Sequence, residues 1–205
     1  MSVLFATGGD PREAHGRHFV LTCLGDSLTA GFGLRPGQAY PDVLERLLRE
    51  EGYDVRVINA GVSGDTSAGG LSRLGWALRE QPDAMIVALG ANDGLRGLST
   101  RLLESNLDAI LSRLASEQIP VLLAGMKAPR NLGAGYADSF EAVYRRLAER
   151  RNVLFLPFLL EGVAADPSLN LADGIHPNAR GAEVIAQNLL PLVRELLAQA
   201  EARDP

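Results

Sequence analysis

From Phe19 onward, short apolar runs alternate with longer stretches whose apolar positions recur every three or four residues. Phe19–Leu24 reads as a first strand, and Val55–Asn59, with Asp54 and Arg56 as polar neighbours, as a second. Ala84–Leu89 is almost wholly apolar, as suits a strand covered on both faces of a parallel sheet. Val121–Ala124 and Val153–Leu156 predict a fourth and a fifth. Between them the spacing is helical. Val43, Leu44, Leu47 and Leu48 share a face of Pro41–Glu51, whose proline is tolerated in a first turn. Thr66 can cap a helix to about Glu80, in which Gly69, Gly70 and Gly75 mark close packing. Leu103, Leu107, Ile110, Leu111 and Leu114 carry a helix from Ser99 or Thr100 to about Gln118. Tyr136–Arg151 is a further helix, and Pro157–Ala172 a long connection. Ala179–Ala202, capped by Asn178, is the last helix, which Pro191 should kink or split.

This alternation predicts one doubly wound α/β domain of three layers, with five parallel strands between helices in a flavodoxin-like arrangement. The 205 residues are enough for one sizeable core. No repeat or linker divides them. Met1–Arg17, with Gly8, Gly9, Pro11 and Gly16, reads as a loosely ordered leader, and residues 18–205 as the domain. In such sheets ligands bind outside the carboxyl ends of the strands.

Charge and composition narrow the function. Net charge is −5, and no Lys/Arg-rich run offers a nucleic-acid footprint. No stretch approaches the roughly 20 apolar residues of a membrane span. The first seventeen residues lack the basic start and long apolar run of a secretory signal, so the chain as written reads as cytoplasmic. A periplasmic or secreted form with its signal removed or replaced would read the same. Cys23 is the only cysteine and sits in the first strand, which suits a buried small apolar residue. One cysteine and three histidines do not make a zinc cluster, and Lys127, the only lysine, reads as a surface-loop residue. No cofactor is expected. Nothing in the pattern speaks to oligomeric state.

Four polar blocks carry the chemistry: Gly25-Asp26-Ser27-Leu28, Gly61-Val62-Ser63-Gly64-Asp65-Thr66, Gly90-Ala91-Asn92-Asp93-Gly94 and Asp173-Gly174-Ile175-His176-Pro177. The first three follow predicted strands, so they share one rim of the sheet. Ser27 is the candidate nucleophile, set in a tight turn after the first strand. A serine hydroxyl needs a base to take its proton. His15 and His18 lie in or beside the leader, so elimination leaves His176 as that base. Asp173, three residues earlier, can hold the imidazole in the productive tautomer. The Ser27 and Gly64 backbone N–H groups and the Asn92 side-chain amide can form an oxyanion hole. Asp26, Asp65 and Asp93 read as carboxylates that fix loop backbones. Acid/base work or magnesium binding is the alternative, but no convergent ligand set supports a metal.

These blocks resemble those of the SGNH hydrolases, also called the GDSL esterase/lipase family, named for a Ser, Gly, Asn and His that map onto Ser27, Gly64, Asn92 and His176. Asp173 fills the Asp-x-x-His position. The resemblance runs from Phe19 onward, and Gly61–Thr66, Asn92–Gly97 and Asp173–Pro177 are most similar to the bacterial thioesterase I, lysophospholipase L1 and arylesterase group. It implies the family's three-layer fold and hydrolysis of short to medium acyl esters and thioesters without metal or organic cofactor. The chain lacks the long insertion of a lipase-type lid, so soluble acyl substrates are expected over emulsified fat. Gly94–Ser99, with two glycines, is a candidate gate over the pocket, and Met126–Gly135 a candidate opposite wall. Two other readings use the same pattern. A carbohydrate O-acetyl esterase would need the same catalytic residues. A flavodoxin-like binding module would need a phosphate loop, and the nearest candidate, Gly31-Phe32-Gly33-Leu34-Arg35-Pro36-Gly37, has the wrong last spacing.

Overall fold

The structure, a computed structural model, describes residues 15–203; residues 1–14, most of the expected leader, lie outside the described residues. Five strands form one sheet: β1 (His15–Gly25), β2 (Tyr53–Gly61), β3 (Ala84–Ala88), β4 (Val121–Ala124) and β5 (Leu154–Leu156). All neighbours are parallel, in the order β2-β1-β3-β4-β5. The apolar runs explain the centre. Every residue of β3 and β4 is buried, because helices cover both faces there.

Among the described residues seven α-helices accompany the strands, the last of them after β5: α1 (Ser27–Ala30), α2 (Tyr40–Glu50), α3 (Ser67–Ala77), α4 (Ala91–Leu95), α5 (Thr100–Ser116), α6 (Ala134–Arg151) and α7 (Ala179–Glu201). Contacts join α2 to α7, and α3 to α5 to α6, which makes the two outer layers. The expected caps are present. The Thr66 hydroxyl accepts from Gly69 N–H, and the Asn178 side chain from Arg180 and Gly181 N–H.

Three details differ from the sequence reading. Strand β1 begins at His15, before the apolar run. There the Arg17 guanidinium meets the Asp83 carboxylate, which also accepts from Val20 N–H at 2.7 Å. Helix α7 passes Pro191 without splitting. It buries Leu189 before the proline and Val193, Leu196 and Leu197 after it, and that burial outweighs the roughly 3 kcal/mol a helical proline costs. Finally, α1 and α4 are too short for apolar periodicity to reveal.

The strand order reverses between β1 and β3, where connections leave in opposite directions and open a crevice. Ser27 follows β1 and Asn92 follows β3. Beside the crevice, the end of β2 is packed tightly on α1. A Cβ at Gly61 would fall on the backbone of Thr29 and Ala30 in α1. Overpacking of that kind costs roughly 1–3 kcal/mol. Gly61→Ala should therefore lower the melting temperature, read by circular dichroism, by about 3–10 °C; an unchanged melt would mean α1 does not rest on β2.

Candidate active site

Ser27 is the first residue of α1, whose entry is fixed by its neighbour. The Asp26 carboxylate accepts from Leu28 N–H at 3.0 Å and so caps the one-turn helix. Gly25 is needed because a side chain there would strike Thr29. The hydroxyl of Ser27 is thereby aimed out of the sheet end.

The partner arrives from the far end of the chain. In Asp173-Gly174-Ile175-His176 the Asp173 Oδ1 accepts from the N–H groups of Ile175 and His176, each at 3.0 Å. Gly174 turns the chain with φ +73°, which favours glycine. Asp173 Oδ2 then lies 2.7 Å from His176 Nδ1. A ring whose Nδ1–H donates to that carboxylate leaves Nε2 as an acceptor, and Nε2 is 3.0 Å from Ser27 Oγ. The two backbone N–H groups and the imidazole together hold the Asp173 carboxyl down, to about 2. It is a carboxylate throughout the neutral range. The hairpin itself is fastened by Leu171 N–H on the His176 carbonyl at 2.7 Å and by the buried Asn170 amide, which donates to Val163 and Asp166 carbonyls.

Asn92 lies on α4 at the same crevice. Its amide donates to the Asp65 carbonyl at 2.9 Å and reaches the Asp26 carboxylate at 3.5 Å. Ser27, Asn92 and His176 line one cavity of about 290 Å³. The remaining wall is mainly apolar, from Leu28, Leu95, Met126, Phe158, Leu160 and Ile175 among others. Gly64 is exposed in the neighbouring loop at φ +85°, and outside that lining; its carbonyl accepts from Arg96 at 3.0 Å.

The geometry is that of a serine hydroxyl, an imidazole and a carboxylate in line, with amide donors beside them. It can remove a proton from the hydroxyl, bind the negative charge of a tetrahedral adduct and return the proton to a leaving group. Residues 23–184 match the GDSL-like Lipase/Acylhydrolase family. The chain belongs to that family. It is 41% identical to the esterase TesA of Pseudomonas aeruginosa over 86% of this chain and 89% of that one. It is 39% identical to the thioesterase 1/protease 1/lysophospholipase L1 of Escherichia coli, over 84% of each. The crystal structure of AlinE4, a SGNH-hydrolase family esterase, superposes with a TM-score of 0.75 at 46% identity, over 90% of this chain and 99% of that one.

The fold also brings to the site residues to which the sequence assigned no role there. Arg73, on α3, donates to the Asp65 carboxylate, to the Ala60 carbonyl at 2.7 Å and to the Gly25 carbonyl at 2.6 Å. One guanidinium thus ties the ends of β1 and β2 to the loop that carries Gly64. Its five fixed donors suit three acceptors in different directions. Phe32 lies against His176, with ring centroids 4.5 Å apart. Lys127 is exposed on the loop after β4, as its sequence suggests, and has a second position to fill. It lines the cavity, with its ammonium 4.4 Å from the Phe158 ring centroid and 3.8 Å from Glu161. Only a tertiary structure brings these together, and no local motif announces them.

The loop candidates divide. Met126–Pro129 line the cavity as the expected wall. Gly94 is not a free hinge: it is buried within α4, and a Cβ there would lie 3.0 Å from Phe140. Among the described residues no three His, Cys, Asp or Glu side chains are grouped to hold a metal ion. Cys23 is buried in β1 and its thiol is pushed far up by that burial, so it is no nucleophile.

Asp26, Asp65 and Asp93 all hold loop backbones or their partners. Asp93 accepts from Ser67 N–H and from its hydroxyl, at 2.7 and 2.6 Å. Asp26 is the strained one: burial raises its carboxyl to about 6, against which the Leu28 N–H bond pulls down. The folded state therefore holds this proton more tightly than the unfolded chain, and the contribution of Asp26 to stability falls as pH rises from about 4 to 6. Asp26→Asn keeps the capping oxygen and removes the charge. Its melting temperature should gain on wild type between pH 4 and pH 7; a difference that stays constant across that range would show that Asp26 is not buried as an acid.

Proposed function

We propose that this protein hydrolyses short to medium acyl esters and thioesters through an acyl-enzyme on Ser27. The observation that carries this reading is the Asp173–His176–Ser27 line of hydrogen bonds at the mouth of an apolar cavity. Ser27 Oγ attacks the acyl carbonyl as His176 Nε2 takes its proton. Asp173 stabilises the imidazolium and keeps Nε2 facing the serine. The oxyanion is held by the Asn92 amide and the backbone N–H groups of Ser27 and Gly64. His176 returns the proton to the leaving alcohol or thiol, and water repeats the cycle to free the acid.

The relatives named esterase and thioesterase 1/lysophospholipase L1 support the substrate class. So does the cavity. Its volume of about 290 Å³ falls near the lower end of the roughly 300–1,000 Å³ of small-ligand sites. A long chain would have to leave it. The apolar wall fits an alkyl chain better than the hydroxyls of a sugar, which favours acyl esters over acetylated carbohydrates.

Wild type and Ser27→Ala, at equal folded concentration, are to be compared on p-nitrophenyl esters from acetate to palmitate, acyl-CoAs and acetylated sugars. We expect an optimum at short to medium acyl length and loss of at least about 1,000-fold in the variant. Activity confined to acetylated sugars would replace the acyl reading with the carbohydrate one. Equal rates in both proteins would remove Ser27 from the mechanism. With chemistry rate-limiting, the wild-type rate should climb with pH as the imidazole loses its proton; a rate flat from about pH 5 to 8 would contradict a histidine base.

A further inference from the structure

Eight large hydrophobic side chains are exposed among the described residues: Phe32, Val62, Trp76, Leu95, Leu98, Leu102, Leu132 and Ile175. Scattered singly, such residues need no explanation. These are not scattered. Trp76 ends α3, at the far side of the molecule. The other seven all follow the carboxyl end of a strand or lie in the first turn of the next helix, so they belong to the rim of the sheet on which the cavity opens. Leu95 and Ile175 also line it.

The densest part is one face. Leu95 and Leu98 lie on either side of Gly97, Leu98 precedes the N-cap Ser99, and Leu102 is in the first turn of α5. Leu132, in the turn after β4, sits over Gly97, its methyls 3.7 and 3.8 Å from where a Cβ there would be. Tyr136 donates its hydroxyl to the Leu98 carbonyl at 2.8 Å and so fastens α6 to the same segment. Relative exposure is 51% at Leu95, 39% at Leu98, 62% at Leu102 and 42% at Leu132.

Charge on this face opposes that of the whole chain. Net charge is −5, yet segments 94–102 and 126–135 contain Arg96, Arg101, Lys127 and Arg130 and no Asp or Glu. All four are exposed. Glu161 lies 3.8 Å from Lys127, so the positive charge of this face rests on Arg96, Arg101 and Arg130.

Aliphatic side chains interleaved with cations, on loop tips and a helix start, suit an interface where leucines enter acyl chains and cations meet anionic headgroups. A protein-binding patch is richer in Tyr, Trp and Phe, and this face has no exposed aromatic. We propose that the face formed by Leu95, Leu98, Leu102 and Leu132 with Arg101 and Arg130 docks the enzyme on an anionic lipid surface, cavity mouth towards the lipid. Acyl esters partition into such a surface, so docking would deliver substrate to Ser27 from the side where the cavity opens. The rationale rests on the esterase reading above; the test separates the two.

The probe is co-sedimentation of the full chain with vesicles of phosphatidylcholine alone or with phosphatidylglycerol at three parts in ten, beside hydrolysis of soluble p-nitrophenyl butyrate. The variants are Arg101→Gln/Leu102→Gln, on residues outside the cavity, and Glu183→Gln on α7 as a control. We expect binding to the anionic vesicles, weakened by high salt, and weakened about tenfold in the double variant with butyrate hydrolysis unchanged. Glu183→Gln should bind as wild type. Equal binding to both vesicle types, or full binding by the double variant, would overturn the proposal. So would wild type that ignores the vesicles while hydrolysing butyrate. In that case a dimer in light scattering that the double variant dissolves would assign the face to a second copy of this chain, and a monomer would leave an acidic protein as its partner. Loss of butyrate hydrolysis in wild type itself would strike at the esterase reading and leave vesicle binding to be judged alone.

Discussion

The site depends on a single long-range hydrogen bond, from Ser27 to His176 across 149 residues of chain. Neither side chain has any chemistry alone. The hydroxyl is a weak nucleophile and the imidazole has nothing to deprotonate. What brings them together is the sheet order. β1 and β3 stand side by side at the centre, α1 rises from one and α4 from the other, and the connection after β5 folds back over both before α7 descends. The core of buried strands is thus the rigid frame on which a short, directional bond is set.

A second layer of polar contacts keeps that bond and the amide donors in register. Arg73 spans β1, β2 and the Asp65 loop; the Asp65 carbonyl takes the Asn92 amide; Asp26 caps α1 and faces the same amide. The first three blocks are therefore joined to one another by hydrogen bonds, and the fourth to the first through His176 and Ser27. Such networks fix donors before the transition state forms, so little reorganisation remains at the moment of reaction. The raised Asp26 carboxyl is the cost of burying one member of the network.

Much of this was legible in the chain. Apolar runs such as Ala84–Ala88 and Val121–Ala124 declare buried parallel strands, and Asp-Gly-Ile-His encodes its own turn, because Asp173 can reach both the backbone and the ring within four residues. The grouping of Ser27, Asn92 and His176 followed from strand ends sharing a rim. What was hidden had tertiary causes. Pro191 stays within α7 because burial on either side holds the helix together. His15–His18 shows no apolar run, yet its backbone pairs with β2 at Tyr53 and Asp54 and so extends β1 beyond the apolar stretch. Arg73, Phe32 and Lys127 act at the site from positions whose neighbours carry no motif. The glycine at 94 suggested mobility, but its reason is the ring of Phe140.

The central claim is that His176 activates Ser27. Covalent labelling with a fluorophosphonate, followed by peptide mass mapping, tests it most directly, because the reagent reports nucleophilicity without requiring the natural substrate. One label per chain on Ser27, forming at least about 100-fold more slowly in His176→Ala, is the predicted result. Labelling at another residue, or an unchanged rate in His176→Ala, would contradict the account.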